Sequence, residues 1–169
     1  MIWETTHRGD LATRLIADRH YSRQKPGTAQ FVKPGRCVVL FAQNDAGRAY
    51  WVTSWPFAEY TKHAWAGAWE CSAFRNEGAG VASEMIEDAL AVTRQEFGDP
   101  PALGLVTFIN RKKINPIMVR GIPVYGWTFI KAGFEYAGET KGGLLVLRIR
   151  PENMPPAAPA SKSQVDFFS

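Results

Sequence analysis

The chain has 169 residues, 46% of them hydrophobic and 21% charged, with a formal net charge of +4. That profile fits one globular domain with a real core and excludes a disordered chain or a collagen-like repeat. No apolar run approaches the ~18 residues of a membrane span, and the start Met1-Ile2-Trp3-Glu4-Thr5-Thr6 lacks the basic, apolar and small-residue succession of a signal peptide. The expected compartment is therefore the cytoplasm. The two cysteines, Cys37 and Cys71, have no CxxC spacing, which predicts buried free thiols and no zinc site.

In chain order, Asp10 is a capping residue and Leu11, Leu15 and Ile16 share one helical face, predicting a helix to about His20. Pro26-Gly27 and Pro34-Gly35 punctuate a loop. Residues 36–43 and 48–55 read as two strands around the turn Asn44-Asp45-Ala46-Gly47, a hairpin. Residues 56–67 form a loop. Trp51, Trp55, Trp65 and Trp69 crowd this region and read either as core or as a stacking surface for a planar ligand. A strand over 69–74 is followed by Arg75-Asn76-Glu77-Gly78-Ala79-Gly80 and then, from Val81 to Phe97, by a long amphipathic helix stopped by Gly98-Asp99-Pro100-Pro101. A buried strand is expected over 103–109, a basic loop over 110–123, and a short helix over 124–132 ended by Gly133. Strands over 134–140 and 144–150 then flank the turn Lys141-Gly142-Gly143. After Arg150, Pro151, Pro155, Pro156 and Pro159 among Ala and Ser predict a tail outside the core. The order implies a mixed α/β (α+β) sheet with an antiparallel N-terminal hairpin, in a domain covering 1–150.

Two stretches carry bases and no acid: Arg19, Arg23, Lys25, Lys33 and Arg36 in 19–36, and Arg111, Lys112, Lys113, Arg120 and Lys131 in 111–131. Such stretches are a candidate surface for phosphates, with solvated basic loops as the plainer alternative.

The segment Arg75-x-x-Gly78-x-Gly80 sits between a strand and a helix. Glycines at 78 and 80 let backbone amides approach a pyrophosphate, the helix N-terminus adds unpaired amides, and Arg75 adds charge. Neither a Walker A motif nor a dinucleotide fingerprint is present. The segment resembles the acetyl-CoA-binding Arg/Gln-x-x-Gly-x-Gly/Ala loop of the GNAT superfamily. Phe129-Ile130-Lys131-Ala132-Gly133-Phe134-Glu135 is similar to that family's short helix, Gly-Phe and strand. The resemblance covers roughly 8–150. It implies a GNAT fold that binds acetyl-CoA or a related acyl-CoA through Phe74, Arg75, Asn76, Glu77, Gly78, Ala79, Gly80 and Val81. Many members carry a tyrosine acid four residues before the Gly-Phe. Here Phe129 stands there, and Tyr125 is the candidate substitute.

His20-Tyr21-Ser22-Arg23, Glu70-Cys71-Ser72 and Thr107-Phe108-Ile109-Asn110 are similar to a phage branch of the superfamily, the Mom-type proteins that modify adenine at its exocyclic nitrogen and so protect phage DNA from restriction. The resemblance implies catalytic roles for His20, Tyr21, Ser72 and Asn110, the last standing where an acid is expected. Strand alternation places Glu70, Ser72 and Phe74 on one face and Cys71 and Ala73 on the other, which makes Glu70 a candidate base and Ser72 a positioning hydroxyl. DNA is the implied acceptor, held by Arg19, Arg23, Lys25, Lys33, Arg36, Arg111, Lys112 and Lys113 while a base is extruded. An N-acetyltransferase of a small amine or protein amino group, and a GNAT-fold DNA-binding module without turnover, are the alternatives. The transferred group, any metal and the oligomeric state stay open.

Overall fold

The computed structural model describes residues 1–20 and 34–161. Its frame is a seven-stranded mixed sheet in the order β1-β2-β3-β4-β5-β9-β8. β1 (Glu4–Thr6) was not foreseen; it is short and borders β2 (Gly35–Gln43) at the sheet edge. β2 and β3 (Arg48–Pro56) form the expected hairpin, and β3 lies antiparallel to β4 (Trp69–Glu77). The helix α2 (Ala82–Phe97) then carries the chain to β5 (Leu105–Ile109), which runs parallel to β4. β8 (Glu135–Glu139) and β9 (Leu145–Ile149) complete the sheet, β9 pairing with β5.

Helix α1 (Leu11–Ala17) starts where Asp10 accepts a hydrogen bond from the Ala12 amide. Its buried face is Thr13, Ile16 and Ala17. Leu11 and Leu15, expected on that face, are exposed. α1 covers Val39, Tyr50, Val52 and Ala73 on one side of the sheet. α2 and the short α3 (Trp127–Lys131) cover the other side, where Trp51, Trp69, Ile86, Leu90 and Leu147 are fully or almost fully buried. The tryptophans are thus mainly core. The Trp51 indole N–H donates to Thr93 Oγ1 at 3.1 Å, and that of Trp3 to the Met85 carbonyl at 2.8 Å. Of the two thiols, Cys71 is buried as expected, whereas Cys37 is exposed near the start of β2.

Three further expectations are corrected. The basic loop over 110–123 contains a hairpin, β6 (Ile117–Val119) and β7 (Ile122–Val124), which forms a sheet of its own. β4 runs three residues beyond Phe74, so Arg75, Asn76 and Glu77 belong to a strand and the turn proper is only Gly78 to Val81. Finally, the chain after Arg150 is seated on the domain. Met154 lies in the core, the Ala158 amide donates to the Ala91 carbonyl, and the Ser161 amide to that of Trp3. Proline removes donors but leaves this segment free to lie extended along the surface.

Met154→Ala is therefore expected to cost about 2 kcal/mol or more in urea denaturation, as for other buried methionines; a tail outside the core would give no change.

Candidate active cleft

The cleft originates in one irregularity of β4. Thr53 of β3 faces Cys71 and Val52 faces Ala73, so Ser72 is the extra residue of a β-bulge. The bulge reverses the expected alternation. Cys71 and Phe74 face α2, while Glu70 and Ala73 face the α1 side. On its other edge β4 pairs with β5 at only three positions, Trp69–Leu105, Glu70–Val106 and Cys71–Thr107. Thr107 Oγ1 donates to the Cys71 carbonyl at 3.4 Å at that last pair. Beyond it β4 continues without β5 beside it, and a cleft of about 380 Å³ opens between the two strands.

The cleft passes from one side of the sheet to the other. His20, at the end of α1, lines it on one side; Ala82, at the start of α2, and Phe129 on α3 line it on the other. Ser72, Phe74, Arg75 and Asn76 form the β4 wall, and Ile117 and Val124 at the base of the β6–β7 hairpin contribute too. Five of the expected residues, His20, Ser72, Phe74, Arg75 and Asn76, thus meet in one place. The volume suits a small-molecule site.

His20 hydrogen-bonds the Phe74 backbone, and its pKa is lowered to about 4, first by burial and then by the nearby charge of Arg75. It is therefore a neutral imidazole at pH 7, competent to accept a proton. Burial pushes the Cys71 thiol up to about 12, which removes it as a nucleophile.

Glu77 stands at the cleft's charged end. Its carboxylate accepts from Arg19 Nε at 2.7 Å and from Arg75 Nε at 2.8 Å. The hydrogen bond from Arg19 is the chief reason its pKa falls to about 2. Arg75 also donates to the Arg19 carbonyl. The glycine turn is braced by its own side chains. Asn76 Oδ1 accepts from the Ala79 amide at 3.0 Å, Asn76 Nδ2 donates to the Gly80 carbonyl, and Asn44 Nδ2 donates to the Ala79 carbonyl. The Ala79 amide, expected to face phosphate, is thus committed within the turn. Gly78 has φ +85°, and a Cβ on the facing Gly47 would come within 1.9 Å of the Glu77 carbonyl, so the hairpin turn and the glycine turn fit only as glycines.

Other expected residues lie elsewhere. Glu70, on the opposite face from Phe74, accepts from His63 Nε2 at 2.5 Å. His63 Nδ1 accepts the Trp65 amide, which places the proton on Nε2. His63 was missed; its only signal was a histidine seven residues before Glu70, in a loop. Glu70 and His63 are thus joined beneath a second cavity of about 440 Å³ that His63 lines with Tyr60, Trp65 and Lys141. Asn110 accepts from the Lys112 amide in a tight turn, and Tyr125 packs against the core; neither lines the cleft. Arg36 stacks on Trp55 and Phe97 and donates to the Glu96 carbonyl, at the far end of α2 from the glycine turn, because a guanidinium on aromatic faces and a helix C-terminus is doubly satisfied there. Arg111 pairs with Glu139 at 2.7 Å, while the Lys112 and Lys113 side chains are exposed. Tyr21, Arg23, Lys25 and Lys33 lie outside the described residues. Among the described residues no cluster of metal-ligating side chains occurs, and no helix is long and apolar enough to cross a membrane.

Two pH limbs follow from these shifts. The unfolded chain protonates His20 near the usual 6.5 while the folded one resists to about 4, so stability falls as pH drops through that window, and His20→Gln flattens this limb. The depressed Glu77 stabilises above its ordinary 4.5 and loses that contribution toward about 2, a lower limb that Glu77→Gln removes. Denaturation midpoints measured against pH check both.

The chain matches no protein-family model, no curated protein and no solved structure.

Proposed function

We propose that the protein is an acyl-CoA-dependent transferase of the GNAT type, whose acceptor is the exocyclic N6 amine of adenine in DNA. The observation that carries this reading is the gap between β4 and β5, which leaves the edge of β4 beyond Cys71 unpaired by β5 and opens both faces of the sheet to one cleft. An extended pantetheine arm fits such an edge, since it offers backbone groups to a strand-like ligand. The phosphates of the donor would meet Arg75, the start of α2 at Ala82 and the glycine turn, where a helix N-terminus favours anions.

Acyl-CoA, when bound, supplies a thioester carbonyl, the N–C bond to the amine forming as the C–S bond breaks. His20 Nδ1 or Nε2 takes the proton lost from N6. An aromatic amine becomes strongly acidic as it bonds to the acyl carbon, so a weakly basic imidazole suffices. Burial disfavours the charged imidazole, so His20 releases that proton readily to the departing sulfur. This removes the need for a tyrosine at the position of Phe129. Ser72, turned into the cleft by the bulge, orients the acceptor. Glu70, on the other face and bound to His63, is a positioning residue for the 57–67 loop and not the base.

The choice of acceptor has support in the lining. None of the described residues that line the cleft is acidic, and Glu77 at its charged end is taken up by Arg19 and Arg75, whereas a cationic amine would be matched by a carboxylate left for it. Arg19, Lys112 and Lys113 keep the surrounding surface positive.

Nucleoside mass spectrometry of total DNA from cells expressing the protein is expected to show a new deoxyadenosine mass, absent with Arg75→Ala. Unmodified DNA beside retained acetyl-CoA binding would transfer the reading to an amine acetyltransferase. His20→Gln is expected to lower the transfer rate by about 10²-fold or more while leaving the acetyl-CoA Kd unchanged, as single-turnover and titration measurements would show.

A further inference from the structure

The β6–β7 hairpin has a composition that water alone does not favour. Its six paired residues, Ile117, Met118, Val119, Ile122, Pro123 and Val124, are all apolar. Met118 is 61% and Ile122 64% exposed. A two-stranded ribbon with apolar side chains on both faces buries too little to hold itself by the hydrophobic effect, and exposed apolar clusters of this kind mark contact surfaces. Ile117 and Val124 at its base line the cleft, so the apolar face runs from the cleft wall outward to the tip.

At the tip, Arg120 and Gly121 join Val119 to Ile122 with φ of 51° and 79°. Two positive φ values define a type I′ turn, whose first position ordinarily holds Asn, Asp or Gly. Among the described residues Arg120 is the one non-glycine with positive φ. A long cation thus occupies a backbone position that disfavours it sterically, at the leading point of an apolar blade. Behind it, residues 111–131 carry no acid, and the exposed Lys112 and Lys113 stand at the blade's root.

We infer that the 117–124 hairpin is a wedge that enters the DNA duplex beside the cleft, with Arg120 reading the groove and Met118 and Ile122 displacing a stacked base toward His20. This rests on the DNA-acceptor reading above. A transferase acting on adenine N6 must take the base out of the stack, and apolar side chains driven between base steps, with arginine in the minor groove, are the physical means of doing so. The order of residues argues against a lipid surface. A membrane-entering hairpin leads with its apolar residues, and here the charge leads, which is costly in hydrocarbon but favourable between phosphates.

The test uses a short duplex carrying 2-aminopurine next to the target adenine, without any acyl donor. Wild type is expected to bind it and raise the 2-aminopurine emission as the neighbour unstacks. Arg120→Gly, which suits the turn better and keeps thermal stability equal or higher, is expected to weaken binding about five- to tenfold. Met118→Ser/Ile122→Ser is expected to keep most of the affinity and a cooperative melt, and to lose the emission rise. Both variants should bind acetyl-CoA as wild type does. Unchanged affinity in Arg120→Gly, no emission rise with wild type, or hairpin-dependent binding to anionic vesicles in place of DNA would overturn the wedge. Adenine modification that persists in both hairpin variants would sink the wedge alone. A working wedge without any transfer would sink the transferase reading alone.

Discussion

One extra residue in β4 governs the shape of the cleft. A strand that kept its register through Ser72 could continue alongside β5 and close the middle of the sheet. The bulge instead turns β4 after Cys71, and a local gain in twist of this kind separates it from a parallel neighbour held by only three residue pairs. Because α2 must cross from the end of β4 to the start of β5, its N-terminus is delivered to the open end of the gap. A bulge, a parallel pair and a helix start are thus consequences of one another, and together they place polar backbone, a positive dipole end and space at one point.

The electrostatics of that point are set by an imbalance. Two guanidinium groups, Arg19 and Arg75, share one carboxylate, Glu77, so the trio keeps one unit of positive charge. The arginines are about half and one-third exposed, so each pair alone contributes little to stability. Their effect is positional. Glu77 holds both cations at the cleft. The Arg75 charge also reaches His20 and helps keep it neutral. A cationic imidazole beside an arginine would be repelled, so the positive charge of Arg75 and the neutrality of His20 go together.

Much of the frame was legible because it follows from periodicity. The β2–β3 hairpin, the amphipathic α2 with Gly98 after it, and the final pair of strands were read within a few residues. The features that shape the cleft and its surroundings were less legible, each for a physical reason. A bulge inserts one residue without changing composition, so alternation put Glu70 and Phe74 on one face when the structure separates them. Asn76 was read as loop, yet its side chain and that of Asn44 fix the turn through hydrogen bonds that only the folded hairpins bring together. β6 and β7 are three residues each, and Pro123 argued against a strand; it is tolerated because the two-stranded ribbon has edges on both sides. The prolines after Arg150 read as tail because composition cannot show that Met154 finds the core.

Two histidines are candidates for the proposed base, and their hydrogen bonds separate them. His63 is spent on structure: Nδ1 accepts the Trp65 amide and Nε2 donates to Glu70, while the ring packs on Phe108 at 4.9 Å. Accepting another proton there would break the amide contact, and the 57–67 loop would lose its attachment to the sheet. Glu70, taken up by that ring on the far face, is equally poorly placed for an acceptor in the cleft. His20 differs in every respect. It lines the cleft, hydrogen-bonds the backbone of Phe74 at the open edge of β4, and stays neutral across the physiological range. It stands three residues past the end of α1, inside the basic stretch that begins at Arg19, so a neutral imidazole and the positive charge of Arg75 lie side by side at the cleft.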